Sequence, residues 1–131
     1  MQSADRKAHA IVFIRVVLSI LMFIHGAARI SNGTVGGFGE FLELQGFPLG
    51  FYLAWAITLF ELVGSVLLAV GLYSWIIAIV FAMHLTVGIV LVHWKDGWFV
   101  VGAGRNGIEY SVLLVLSFLA VAYASYQTVR R

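Results

Sequence analysis

Four runs of about twenty mostly apolar residues, near 10–28, 52–72, 75–92 and 108–126, dominate the chain. Each is long enough to cross a hydrocarbon core about 30 Å thick as a helix. Transmembrane strands are about half that length and alternate apolar with polar positions, and these runs do neither. Backbone N–H and C=O groups in lipid must be satisfied within the segment, so each run is expected to be a helix. The expected fold is an all-α membrane protein, a four-transmembrane-helix bundle forming one domain over residues 1–131.

Composition excludes the alternative that the runs are buried in a water-soluble core. The chain is 62% hydrophobic and 11% charged, whereas a soluble domain averages about 45–50% and about 25%. The net charge of +2 and the lack of a basic cluster argue against nucleic acid. Cysteine is absent, which rules out disulfides, thiolate metal sites and CxxC chemistry within the chain. Any dithiol reaction must draw its thiols from a partner or a substrate.

Arg6 and Lys7 precede the first run, and Arg130 and Arg131 follow the last. The positive-inside bias then places both termini in the cytoplasm, an N-in/C-in topology consistent with four spans. The first outer connection, 30–50, is glycine-rich and ends in Gly46-Phe47-Pro48. Within it Phe38, Phe41 and Leu42 fall on one helical face and Glu40 and Glu43 on another. That spacing predicts a short interfacial helix between helices 1 and 2, either a plug for the bundle end or a lid over a cavity. The connection at Gly71–Ser74 is short enough to make spans two and three an antiparallel hairpin. In the second outer loop, Gly102-Ala-Gly104-Arg-Asn-Gly107 matches G-x-G-x-x-G, but no βαβ unit surrounds it, so a dinucleotide site is rejected. Asn106 and Glu109 have the spacing of a capping box for span four. Trp94, Trp98, Tyr110, Tyr52 and Trp55 form the aromatic belt expected at that level.

Against this apolar background the ionisable residues stand out. Glu61 lies near the middle of the second run, where an acidic side chain costs about 2.5–3.5 kcal/mol by insertion scales. It calls for a partner or a function. Glu61 is roughly 14 Å below the outer face, a depth that a long Arg15 side chain could reach from the inner side. The alternative for Arg15 is a snorkelling anchor. His84 is also near mid-membrane, while His25, Arg29, His93 and Glu109 fall in the outer third. His25 and Arg29 are four residues apart and share a helix face. His84 and His93 are nine residues apart, half a turn out of phase on a regular α-helix. Every span carries an ionisable group, which implies a polar interior, expected to open to the outer side.

Three chemistries fit such an interior. A quinone pocket would use His and Glu to hydrogen-bond the carbonyls and carry protons, with aromatic side chains packing the ring. A carboxylate-bridged metal site is disfavoured, since no Glu-x-x-His pair occurs, and no metal ligands are assigned. A structural network would only fix helix register and support contact with another membrane protein.

Arg15, Phe23-Ile-His25-Gly26-Ala-Ala-Arg29, Gly46-Phe47-Pro48, Glu61-Leu-Val-Gly64, Leu-Leu-Ala-Val-Gly71, His93 and Glu109-Tyr110, in that order, resemble the DoxX family of small four-helix membrane proteins. The resemblance runs from about Arg15 to Leu119 and rests on the order and spacing of short motifs. Members are associated with thiosulfate:quinone oxidoreductase or with membrane redox-stress complexes. The resemblance therefore implies a quinone-linked oxidoreductase subunit in a bacterial inner or cell membrane, with quinone as cofactor and a redox protein as partner. Glu61 and His25 would carry protons as catalytic groups. Arg15, Arg29, His93 and Glu109 would bind the cofactor, as would His84, which the family pattern does not assign. The rival expectation is a non-enzymatic scaffold with structural charges. Small size and exposed glycine faces point to a homo-oligomer under either.

Overall fold

The computed structural model describes residues 3–102 and 105–129. Gly104 of the glycine-rich outer loop, and the Arg130 and Arg131 that helped to orient the chain, lie outside the described residues. The helices are α1 (Ser3–Ser31), α2 (Val35–Leu44), α3 (Gly50–Val70), α4 (Ser74–Gly88) and α5 (Glu109–Val129). After α4 the chain continues through a π-helical turn, Ile89–His93, and a 3-10 turn, Trp94–Asp96. There is no strand among the described residues.

Among the described residues four segments are long and apolar enough to cross a membrane: Asp5–Ser31, Gly50–Val70, Ser74–Asp96 and Glu109–Gln127. At most 33% of the most apolar window of any of them is buried inside the chain. The rest of that surface can be covered only by lipid or by another chain, as in a membrane span.

Helices α1, α2 and α3 all end in the same way. The chain turns left-handed at Gly33, Gly46 and Gly71, with φ of 66°, 89° and 90°. The next N–H in each case reaches back to a carbonyl in the last turn: Thr34 to Arg29 at 3.0 Å, Phe47 to Leu42 at 3.0 Å and Leu72 to Leu67 at 2.9 Å. This is the Schellman arrangement, which glycine adopts without a Cβ penalty and which satisfies otherwise orphaned carbonyls. It is why these helices can be joined by connections of only a few residues.

The chain divides into two compact units. One is Val16–Leu72, holding most of α1 together with α2 and α3. Here α2 lies against the first turns of α3. Val35, Leu42 and Ala54 are buried, and Phe38, Phe41, Trp55 and Ile57 pack around them. Glu40 and Glu43 are exposed, so the apolar and acidic faces of α2 fall as its spacing predicts. Close approach depends on two glycines, since a Cβ on Gly50 would sit 2.2 Å from the Gly39 carbonyl oxygen and one on Gly39 would sit 2.8 Å from the Phe51 Cα.

The other unit is Met1–Arg15 with Tyr73–Arg131. The ring of Phe81 on α4 packs against Phe118 on α5 at 5.2 Å, and Trp75 meets Tyr126 at 5.4 Å. Early residues of α4 therefore face late residues of α5, which makes the two antiparallel. The outer loop between them is held by its own backbone. Gly107, Ile108 and Glu109 donate to the carbonyls of Phe99, Gly97 and Trp98 at 3.1, 3.0 and 3.0 Å. Helix α5 begins at Glu109, so the expected capping box does not form. The loop carbonyls take up the N–H groups that a capping side chain would have served.

Gly107 is the tightest point of this loop, since a Cβ there would lie 2.5 Å from the Phe99 oxygen and the Trp98 carbonyl. Gly107→Ala is expected to release the three backbone bonds while the α4–α5 pair persists. Hydrogen exchange should then quicken at Ile108 and Glu109 and stay unchanged at mid-helix amides of α5. Unchanged protection at both loop amides would contradict this account.

Candidate functional site

Within its unit, Glu61 pairs with Arg29. Helix α1 continues to Ser31, past the expected end of the first span, which places Arg29 in its last turn. Arg29 Nη1 donates to Glu61 Oε2 at 2.5 Å and Nη2 donates to Oε1 at 3.3 Å, a two-pronged ion pair. Glu61 is 1% exposed and Arg29 18%. Taking either charge out of water is expensive, and the fork geometry with its charge-assisted hydrogen bonds offsets that cost.

Neighbouring side chains complete the arrangement. Nη1 also donates to the Thr58 hydroxyl at 3.0 Å, and that hydroxyl donates to the Ala54 carbonyl at 2.7 Å. Thr58 lies one turn before Glu61, so both share the buried face of α3. Ser65, one turn beyond Glu61, donates its hydroxyl to the Glu61 carbonyl. The helices come close because position 26 carries no side chain. A Cβ on Gly26 would lie 3.1 Å from the Glu61 Cβ, the Leu62 Cγ and the Thr58 oxygen. From α2, the Phe38 ring covers the guanidinium, with Arg29 Cζ 4.5 Å from the ring centre, within cation–π range.

A guanidinium carries five N–H donors. Two of those of Arg29 go to Glu61 and one to Thr58. The Nε–H and one Nη2–H are uncommitted among the described residues, and they belong to a group with an anion on one side and an aromatic face on another.

The remaining expected site residues fall in both units. His25 is exposed on α1. Arg15 and His84 are half-buried and belong to the other unit. His93 and Glu109 are in that unit too, and both engage the outer loop. His93 Nδ1 donates to the Asn106 carbonyl at 3.0 Å, and a Glu109 carboxylate oxygen accepts the Val101 N–H at 3.3 Å. A carbonyl can only accept, so the His93 proton on this nitrogen follows from its partner. Among the described residues no three His, Asp or Glu side chains gather as metal ligands would.

Sequence reasoning placed Glu61 and Arg29 at different depths and missed Gly26, Thr58 and Phe38. The signals were present. Gly26 and Arg29 are three residues apart, as are Thr58 and Glu61, so each pair shares a helix face. A small residue beside a polar one on each helix is a mark of close packing in a membrane.

The family model described as DoxX matches residues 10–94. The chain is 30% identical over 112 residues to a protein named Putative oxidoreductase CatD from Bacillus subtilis (strain 168), a match covering 84% of this chain and 76% of that protein. No solved structure matches the chain.

Proposed function

Since the chain belongs to the DoxX family of integral, multi-pass membrane proteins, we propose that it is a quinone-interacting subunit of a membrane oxidoreductase. The observation that carries this reading is the Arg29–Glu61 pair, with two guanidinium N–H groups uncommitted under an aromatic ring. The donor set suits a flat ring bearing two carbonyls: Arg29 would donate to a carbonyl oxygen, Phe38 would pack on the ring, and Glu61 would hold a proton as Arg29 shifts its hydrogen bonds. His25, one turn before Arg29 and exposed, would exchange that proton with the surroundings. A relative named as an oxidoreductase supports the redox class.

Quinone supplies an acceptor of two electrons and two protons. The chain contains no cysteine, so thiols that supply these electrons belong to a partner or a substrate. Two donor thiols become one disulfide, and their two electrons and two protons convert the quinone to hydroquinone. With both termini in the cytoplasm of a bacterial cell, the last turn of α1 and hence the pair would lie toward the periplasmic side.

One observation favours a second reading. Both prongs of the fork go to Glu61, a third N–H goes to Thr58 and Phe38 covers the guanidinium, as in a structural device that fixes helix register in a scaffold. Quinone content separates the two. Protein purified in mild detergent should release stoichiometric quinone into organic solvent, as read by mass spectrometry, and Glu61→Gln should lose it while remaining folded. Quinone at the level of the detergent–lipid background in both proteins would favour the scaffold.

A further inference from the structure

Below the ion pair, the same two helices form a groove that the proposed reaction does not use. Ser19, Ile20 and Phe23 of α1 face Ser65, Val66 and Ala69 of α3 across an open groove. Two of these six residues are serines, yet no polar atom lines the space. The Ser65 hydroxyl is turned away, tied back to the Glu61 carbonyl. The groove is apolar through this hydrogen bond as well as through its residue types.

Its place is set by the helices. On α3, Ser65 and Ala69 lie one and two turns beyond Glu61, and on α1, Phe23 lies somewhat under two turns before Arg29. Because α1 and α3 are antiparallel at Gly26, both displacements run the same way. The groove therefore opens about 6 Å from the pair along α3 and leads away from it. Small side chains at Ser19, Ser65 and Ala69 make its floor, while Ile20 and Val66, both about half exposed at 53% and 51%, make its rims. A helix is about 10 Å across and needs a wider trough.

A polar site with an apolar groove one helical turn away along the same two helices matches an amphiphile with a flat polar head and one hydrocarbon tail. We infer that the groove between α1 and α3 holds the isoprenoid tail of the quinone whose head is bound at Arg29 and Glu61. This rests on the quinone reading above and adds where the tail lies, and hence that the ligand is a lipid-soluble, tailed quinone.

The test uses full-length protein in lipid nanodiscs and two photoreactive probes. One is a benzoquinone with a diazirine on a decyl tail; the other is the same diazirine alkane without the head. The quinone probe should label the segments 19–23 and 65–69 above all other apolar segments, and excess tail-less benzoquinone should remove that label. Ala69→Phe, which fills the floor, should reduce the groove label to the level of other lipid-facing segments. Val66→Phe at the rim should do the same if Ala69→Phe fails to fold. Equal labelling of the groove by the headless probe would give it to lipid chains and overturn the inference, leaving quinone extraction to decide the head site. Scattered labelling by the quinone probe, with quinone still extracted from the wild type, would overturn the tail placement alone. No quinone extracted and no groove label would overturn both.

Discussion

Arg29→Met is expected to destabilise the protein in detergent by about 3–5 kcal/mol, the cost of breaking a buried ion pair by removing one member. Glu61 is 1% exposed and receives two of its hydrogen bonds from this one guanidinium, so it has no water to fall back on. Adding Glu61→Met in the same molecule should restore most of the loss, because replacing both members of a buried pair with apolar side chains is often neutral or better. Unfolding in mixed micelles with increasing SDS would measure all three proteins. An Arg29→Met variant as stable as wild type would mean that the pair is not a closed ion pair. A double variant that recovers its stability but retains no quinone would assign the charges to ligand binding as well as to folding.

Gly50→Ala is expected to have the second largest effect, and it acts at a distance from the pair. The added methyl would lie 2.2 Å from the Gly39 carbonyl oxygen, a backbone atom that cannot rotate away. Overpacking of this kind costs about 1–3 kcal/mol and sometimes more. The relief open to the molecule is for α2 to leave α3, taking Phe38 off the Arg29 guanidinium. Two readouts should therefore move together: faster hydrogen exchange through Val35–Leu44 and greater reactivity of Arg29 toward an arginine-selective dicarbonyl, mapped by peptide. If α2 stays protected and Arg29 stays unreactive, the glycine contact does not hold the helix in place. If exchange rises while Arg29 stays unreactive, Phe38 is not what shields it.

The spans were legible because hydrophobic length alone determines them. The second, third and fourth start within two residues of the expected positions, at Gly50, Ser74 and Glu109. Helix α2 was legible from the face shared by Phe38, Phe41 and Leu42, although it starts earlier, at Val35. The contact of Arg29 with Glu61 was not legible, because residues were sorted by the depth of their backbone. Arginine is long, and its charge lies well away from its Cα, so Arg29 in the last turn of α1 reaches Glu61 in the middle of α3. The capping box at Asn106 and Glu109 failed for another reason. A spacing match describes local chemistry, and here carbonyls from Gly97, Trp98 and Phe99, brought by the loop's own fold, took the same N–H groups.

The π-helical turn Ile89–His93 has a consequence for comparing this chain with its relatives. Such a turn accommodates one residue more than an α-turn, so it behaves as the trace of a single-residue insertion in a helix that otherwise kept its length. Residues on either side are in a different phase from that of a regular helix. His84 and His93, half a turn apart by simple counting, are separated by only about 80° once the extra residue is absorbed. A relative lacking one residue within 89–93 would align with a one-position gap there. Its histidine could then occupy the same direction in space while carrying a different offset in sequence, and a column-by-column comparison would score as divergent two positions that do the same thing.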